Sequence, residues 1–197
     1  MKKSLVALLL AVALAVPAFA QKGDMSVNAK VGLGLSNNFN LSGGDIPDDC
    51  WEGIKMEMPV SLGAEFFYEA IDSLSLGLGV NYTFDSDSKS EIDGGKPKAG
   101  TTNVYLAVKP EAKLDSSIFS SIYAIGQIGV SFLRTESRGE SFSTDAGIYL
   151  GFGAGTVIKD AFIVELILSS SNGKISDYDA DVQYTATTLN VGYKFAL

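Results

Sequence analysis

Apolar side chains fall on every second position over eight stretches of this chain, and a period of two confines such stretches to β-strands with one oily face. The cleanest carries Leu74, Leu76, Leu78, Val80, Tyr82 and Phe84 on one face against Ser75, Gly77, Gly79, Asn81 and Thr83 on the other. Glycine and β-branched residues at that density exclude a helix. The first stretch sets Val27, Ala29, Val31, Leu33 and Leu35 against Asn28, Lys30, Gly32 and Gly34, and the second runs through Val60, Leu62, Ala64, Phe66 and Tyr68. Val104, Leu106 and Val108 mark the fourth; Ile128, Val130 and Phe132 mark the fifth, where Tyr123 and Ile125 stand on the opposite parity and leave the register open. The set closes with Ala146, Ile148, Leu150, Phe152 and Ala154, then Phe162, Val164, Leu166 and Leu168, then Leu189, Val191, Tyr193, Phe195 and Leu197.

The connections alternate in length. Short ones fall at 71–73, 115–117 and 159–160, and long polar ones at 37–58, 85–101, 134–144 and 169–181. Tight turns on one side and long loops on the other are the pattern of bacterial outer-membrane barrels, and an even strand count places both termini on the short-turn, periplasmic side. No linker divides the chain, so residues 21–197 are expected to form one barrel domain.

Residues 1–20 read as a cleaved export signal: Lys2 and Lys3, an apolar run over 5–16, and the small-x-small site Ala18-Phe19-Ala20. Its removal takes two of the 15 basic residues and none of the 23 acidic ones, leaving a net charge of −10. Such a surface repels nucleic acid. The single cysteine, Cys50, cannot form an internal disulfide and lies too far downstream to carry a lipid anchor.

Alternation alone does not say which face meets lipid. The polar stripe is built mostly from Gly, Ser, Thr and Asn, whereas a water-facing exterior would be about 25–35% charged. Eight strands leave room for a packed filling or one small ligand, and the stripes of Leu, Val, Ile and Phe are too voluminous for that space. With the first strand running outward, Phe66, Tyr68, Phe162, Tyr193 and Phe195 gather toward the periplasm and Tyr82, Phe84 and Phe132 toward the other side, as two aromatic girdles. Closure is required because an open edge in hydrocarbon leaves backbone groups unpaired. The fold expected is an all-β, eight-stranded antiparallel up-and-down transmembrane β-barrel.

The mature start Gln21-Lys22-Gly23-Asp24-Met25, the glycine-spaced strand at 147–155 and the ending Asn190-Val191-Gly192-Tyr193-Lys194-Phe195-Ala196-Leu197 together resemble the small eight-stranded outer-membrane barrels, similar to outer membrane protein X and the barrel domain of outer membrane protein A. The resemblance implies that Asn190, Gly192, Tyr193, Phe195 and Leu197 form an insertion signal read by the barrel assembly machinery, with Leu in place of the usual final Phe. It also implies an integral monomer in contact with membrane lipid and lipopolysaccharide. The barrel enzymes of that membrane depend on a histidine, and this chain has none; no nucleophile sits beside a base, so neither catalysis nor a cofactor is expected.

Lys30, Glu65, Lys109, Glu111, Asp145, Glu165 and Lys194 fall on the polar stripe, where they read as a lumenal salt-bridge network rather than a selectivity filter or proton path, because buried charges must be paired. Glu165 and Lys194, on neighbouring strands, are the expected pair. The acidic sets Asp85-Ser86-Asp87-Ser88 and Asp177, Asp179 and Asp181 lack the glycine and terminal glutamate of a dedicated calcium loop and read as solvated loop charge. Cys50, a free thiol, and Trp51, among Asp45, Asp48, Asp49, Glu52 and Glu57, make the first long loop a candidate interaction tip for an extracellular ligand; the alternative is that Trp51 packs onto the barrel rim. The expectation is an envelope barrel with a structural and surface-interaction role. A narrow passive pore, or a soluble secreted barrel holding an apolar ligand, are the alternatives.

Overall fold

The structure is a computed structural model that describes residues 23–43, 53–91, 95–137, 140–176 and 179–197. The expected signal peptide, Cys50, Trp51 and Asp177 lie outside the described residues. The strands are β1 (Met25–Gly43), β2 (Ile54–Lys55), β3 (Val60–Ile71), β4 (Leu74–Asp87), β5 (Lys98–Lys113), β6 (Phe119–Ser137), β7 (Glu140–Ser143), β8 (Gly147–Ile158), β9 (Phe162–Ile175) and β10 (Ala180–Ala196). Consecutive long strands pair antiparallel, and β10 returns to β1 along a ladder from Ser26↔Ala196 to Gly43↔Ala180. The result is a closed eight-stranded barrel of β1, β3, β4, β5, β6, β8, β9 and β10. β2 and β7 are short additions at the end that carries the long connections, paired with β1 and β6. The first described residues and the C-terminal residue sit at the opposite, tight-turn end, where the Leu197 amide donates to the Met25 carbonyl.

The oily stripes face out. Leu76, Val80 and Leu150 are 45%, 42% and 51% exposed, while Ser75, Asn103 and Ser131 on the other face are buried. Tyr123 and Ile125 point inward beside Gln127, and β6 keeps one register with β5 from Lys113↔Ser121 to Lys98↔Glu136. Their parity is therefore that of interior apolar residues rather than a slip of the strand.

The strands run on where long loops are expected. A membrane-spanning strand needs about 9–11 residues, yet β1 has 19 and β10 has 17. β9 continues to Ile175 and β10 starts at Ala180, so the expected loop over 169–181 shrinks to a tight connection; β1 likewise continues to Gly43 and β5 starts at Lys98. In these overhangs the sidedness is inverted. Phe39, Leu41, Ile54, Met56, Leu133, Ile175, Val182 and Tyr184 form an apolar cluster inside, and Ser42, Asn172, Lys174, Asp181 and Gln183 are exposed outside. β1 reaches the inversion by a register shift between Gly34 and Ser36, which turns Asn37, Phe39 and Leu41 inward although they keep the odd numbering of the outward Val31, Leu33 and Leu35. β10 reaches it without a shift. Its sequence changes parity, from inward Val182 and Tyr184 to outward Leu189, Val191 and Tyr193. β4 also shifts register between Thr83 and Ser86.

Candidate functional site in the filled lumen

Charge inside the barrel is organised around Lys30. Its ammonium donates to Glu65 Oε1 at 2.7 Å and to Glu165 Oε1 at 2.8 Å, joining β1 to β3 and β9. All three side chains are almost fully buried. Neutral donors complete both carboxylates: Tyr105, Gln127 and Asn28 donate to Glu65 at 2.9, 3.3 and 3.4 Å, and Tyr123 and Asn190 donate to Glu165, each at 3.2 Å. Tyr149 holds the amide of Gln127 from behind at 2.7 Å. A buried ion pair tolerates desolvation only when its remaining lone pairs are met in this way. Glu165 is thus engaged by Lys30 and not by Lys194, which corrects the pairing expected from strand adjacency. Asn190, not Lys194, stands opposite Glu165 in the β9–β10 register.

Glycines make the room for these large interior groups. Tyr105 lies across from Gly79 on β4 and Gly129 on β6, and a Cβ at Gly79 would stand 2.4 Å from the Tyr105 ring. Gly77 leaves the same slot for Phe67, Gly155 for Tyr123, and Gly192 for the stem of Lys30.

Toward the turn end, Lys109 bonds Glu111 at 3.1 Å and lies over the rings of Phe67 and Tyr123 at 4.7 and 5.0 Å. Lys194 is half-buried in the same mouth, where its charge acts on Glu111. Asp145 does not belong to the lumen: it is exposed in the connection before β8, at the loop end, and accepts from the Ser176 hydroxyl. Above Lys30, a polar chamber lined by Ser61, Asn81, Thr101, Asn103 and Ser171 has a free volume of about 20 Å³, room for a single ordered water and not for a column of them. The apolar cluster of the overhang roofs it. Tyr105, Tyr149 and Gln127 are not marked by the apolar alternation, and Tyr123 shows there only as a residue of opposite parity; each lies on an inward parity with a glycine opposite it, and that combination could have found their place in the cluster.

On the outer wall, Phe162 and Tyr193 meet edge-on at 5.5 Å and Tyr193 and Phe195 at 4.7 Å, toward the turn end. Phe66 and Tyr68 are partly exposed at the same end. At the loop end, Tyr82 and Phe84 meet at 5.1 Å, and Phe132 is 40% exposed. Arg134 stacks its guanidinium on Tyr82 at 4.4 Å and bonds Thr102, the Thr83 carbonyl and Asp85. Of the ending residues, Asn190 is buried in the Glu165 cluster, Gly192 faces Lys30, and Tyr193, Phe195 and Leu197 are exposed.

A closed barrel with an oily wall and aromatic residues at both ends of it is the form a β-structure must take in hydrocarbon. The model of the outer membrane protein beta-barrel domain matches residues 6–195. This chain belongs to that family. As an outer-membrane barrel it is an integral protein of the bacterial outer membrane whose exposed Leu, Val, Ile and Phe contact lipid. Three solved structures are similar to it in fold. Neisserial surface protein A has a TM-score of 0.50 at 10% identity, covering 85% of this chain and 96% of that one. The outer membrane protein OprG from Pseudomonas aeruginosa has a TM-score of 0.50 at 12% identity, covering 88% and 96%. Ail, the attachment invasion locus protein of Yersinia pestis, solved with the heparin analogue sucrose octasulfate, has a TM-score of 0.48 at 15% identity, covering 89% and 100%. No curated protein matches the sequence.

Proposed function

We propose that this outer-membrane barrel is a sealed, monomeric envelope protein that neither conducts nor catalyses, and that it acts through its outer wall and its loop end. The observation that carries this reading is the closed lumen, in which Lys30 bridges Glu65 and Glu165 beneath an apolar roof. A path for ions would have to break the buried Lys30–Glu65–Glu165 charge cluster and then wet the ring of Phe39, Leu41, Leu133 and Val182. Catalysis finds no support in a chain without histidine whose buried carboxylates are engaged on several sides. The tight turns and both termini face the periplasm and the overhangs face outward, in keeping with the loop asymmetry of such barrels. Asn190, Gly192, Tyr193, Phe195 and Leu197 serve the assembly machinery before they take their places in the wall.

The test is single-channel recording on purified, refolded protein in planar bilayers. Silence at all voltages is the expected outcome, and stable conductance steps from the wild-type protein would favour the pore instead. Orientation is checked with a C-terminal tag, which antibody should reach only after the outer membrane is permeabilised.

A further inference from the structure

The inverted overhang presents an outward face unlike the rest of the wall. Across β9, β10 and β1, Asn172 stands beside Gln183 and Gln183 beside Asn40, forming one row of three amides; the next row is Lys174, Asp181 and Ser42. These residues line a groove of about 790 Å³, within the range of about 300–1,000 Å³ typical of small-ligand sites.

The hydrogen bonds fix what the amides offer. Asn172 Oδ1 accepts from the Ile148 amide at 2.8 Å, Asn40 Oδ1 from the Gly53 amide at 2.6 Å, and Gln183 Oε1 from Asn40 Nδ2 at 3.4 Å. Their carbonyl sides are therefore engaged, and the Asn172 and Gln183 amino groups project as donors with no partner among the described residues. Lys174 gives one of its three N–H groups to Asp179 at 2.5 Å and keeps the others as donors; the acceptors in the two rows are Asp181 and the Ser42 hydroxyl. Adjacent donors and acceptors on planar, short side chains match vicinal hydroxyl groups, which both donate and accept. They do not match an acyl chain, and the Asp179 and Asp181 carboxylates beside the donors repel a lone phosphate.

The row is continuous with the lipid-facing wall. Leu168 faces out on β9 four residues before Asn172, and Leu189 faces out on β10 six residues after Gln183. At about 3.3 Å per residue the groove therefore begins roughly 13 Å along the strand from the oily surface. On the orientation proposed above, on which this inference rests, the groove lies in the sugar layer carried by the outer-leaflet glycolipid. We propose that the Asn172–Gln183–Asn40 row binds the core oligosaccharide of lipopolysaccharide.

The probe is core oligosaccharide released from rough lipopolysaccharide by mild acid, titrated calorimetrically into the full-length refolded protein in detergent, with lipid A as the second ligand. Saturable binding of the oligosaccharide that weakens at least tenfold in the Asn172→Ala/Gln183→Ala variant is the expected result. Absence of saturable binding, equal binding by the variant, or lipid A displacing the oligosaccharide would each overturn the proposal. The variant's heat-dependent gel shift reports that it is folded. Conductance and tag accessibility, measured on the same wild-type preparation, report separately on the sealed-barrel reading, so a silent, correctly oriented barrel that ignores the sugar rejects this inference alone.

Discussion

Lys30 sits between two carboxylates that would repel each other without it, so its substitution acts twice. Glu165→Ala leaves Lys30 its bond to Glu65, and its cost is expected at the lower end of the about 3–5 kcal/mol typical of breaking a buried pair. Lys30→Met leaves both acids facing each other and is expected to cost more. Urea titration of folding into vesicles, followed by gel shift, checks the order; equal midpoints for the two variants would contradict the bridging role. Gly79→Ala drives a methyl group into the Tyr105 ring and is expected to destabilise by about 1–3 kcal/mol, the usual range for overpacking. Tyr105→Leu in the same chain should recover part of that loss in a double-mutant cycle. At this scale the sequence was half legible. A charge on the non-oily side of a strand in a membrane barrel has to lie inside, which located Lys30, Glu65 and Glu165. The partners were not legible, because the stagger of strands around the barrel decides which groups meet, and it set Asn190 rather than Lys194 opposite Glu165. Asp145 was misplaced for another reason: it falls just before β8 begins, where strand parity no longer applies.

Among the elements, β1 shows how little of a strand's sidedness is written in hydrophobicity alone. Apolar residues hold odd positions from Val27 to Leu41, yet the register shift after Gly34 sends the first group to lipid and Phe39 and Leu41 to the interior. A bulge of one residue leaves no compositional mark, and a one-residue slip exchanges the two faces. The alternation therefore located the strands but not the level at which they turn over, and the polar outer residues beyond that level read as loop. Inserting one alanine after Ser36 should move Asn37, Phe39 and Leu41 on by one position, turn Phe39 and Leu41 outward and break the apolar roof, whereas deleting Ser36 should remove the bulge and leave Phe39 inward opposite Tyr184. The expected readout is cleavage of the loop end by protease added to intact cells for the insertion and not for the deletion, in a barrel whose wall still assembles; wild-type resistance of the insertion would mean that another strand fixes the inversion.

The whole molecule is two barrels in series sharing one set of strands, oily outside at the turn end and oily inside at the loop end. A charge should therefore be costly on one part of the exterior and cheap on the other. Leu150→Arg is expected to cost about 2–4 kcal/mol if it lies near the bilayer midplane, whereas Thr185→Arg, on the outward parity of the β10 overhang, should lie within about 0.5 kcal/mol of wild type. Equilibrium folding into vesicles measures both, and similar penalties would show that lipid reaches the overhang. Because the switch in wettability is built into the backbone register of β1 and the residue order of β10, the protein carries its own waterline. Thicker or thinner bilayers would have to adapt to that mark, since sliding the barrel up or down would drown leucine on one side or bury aspartate on the other.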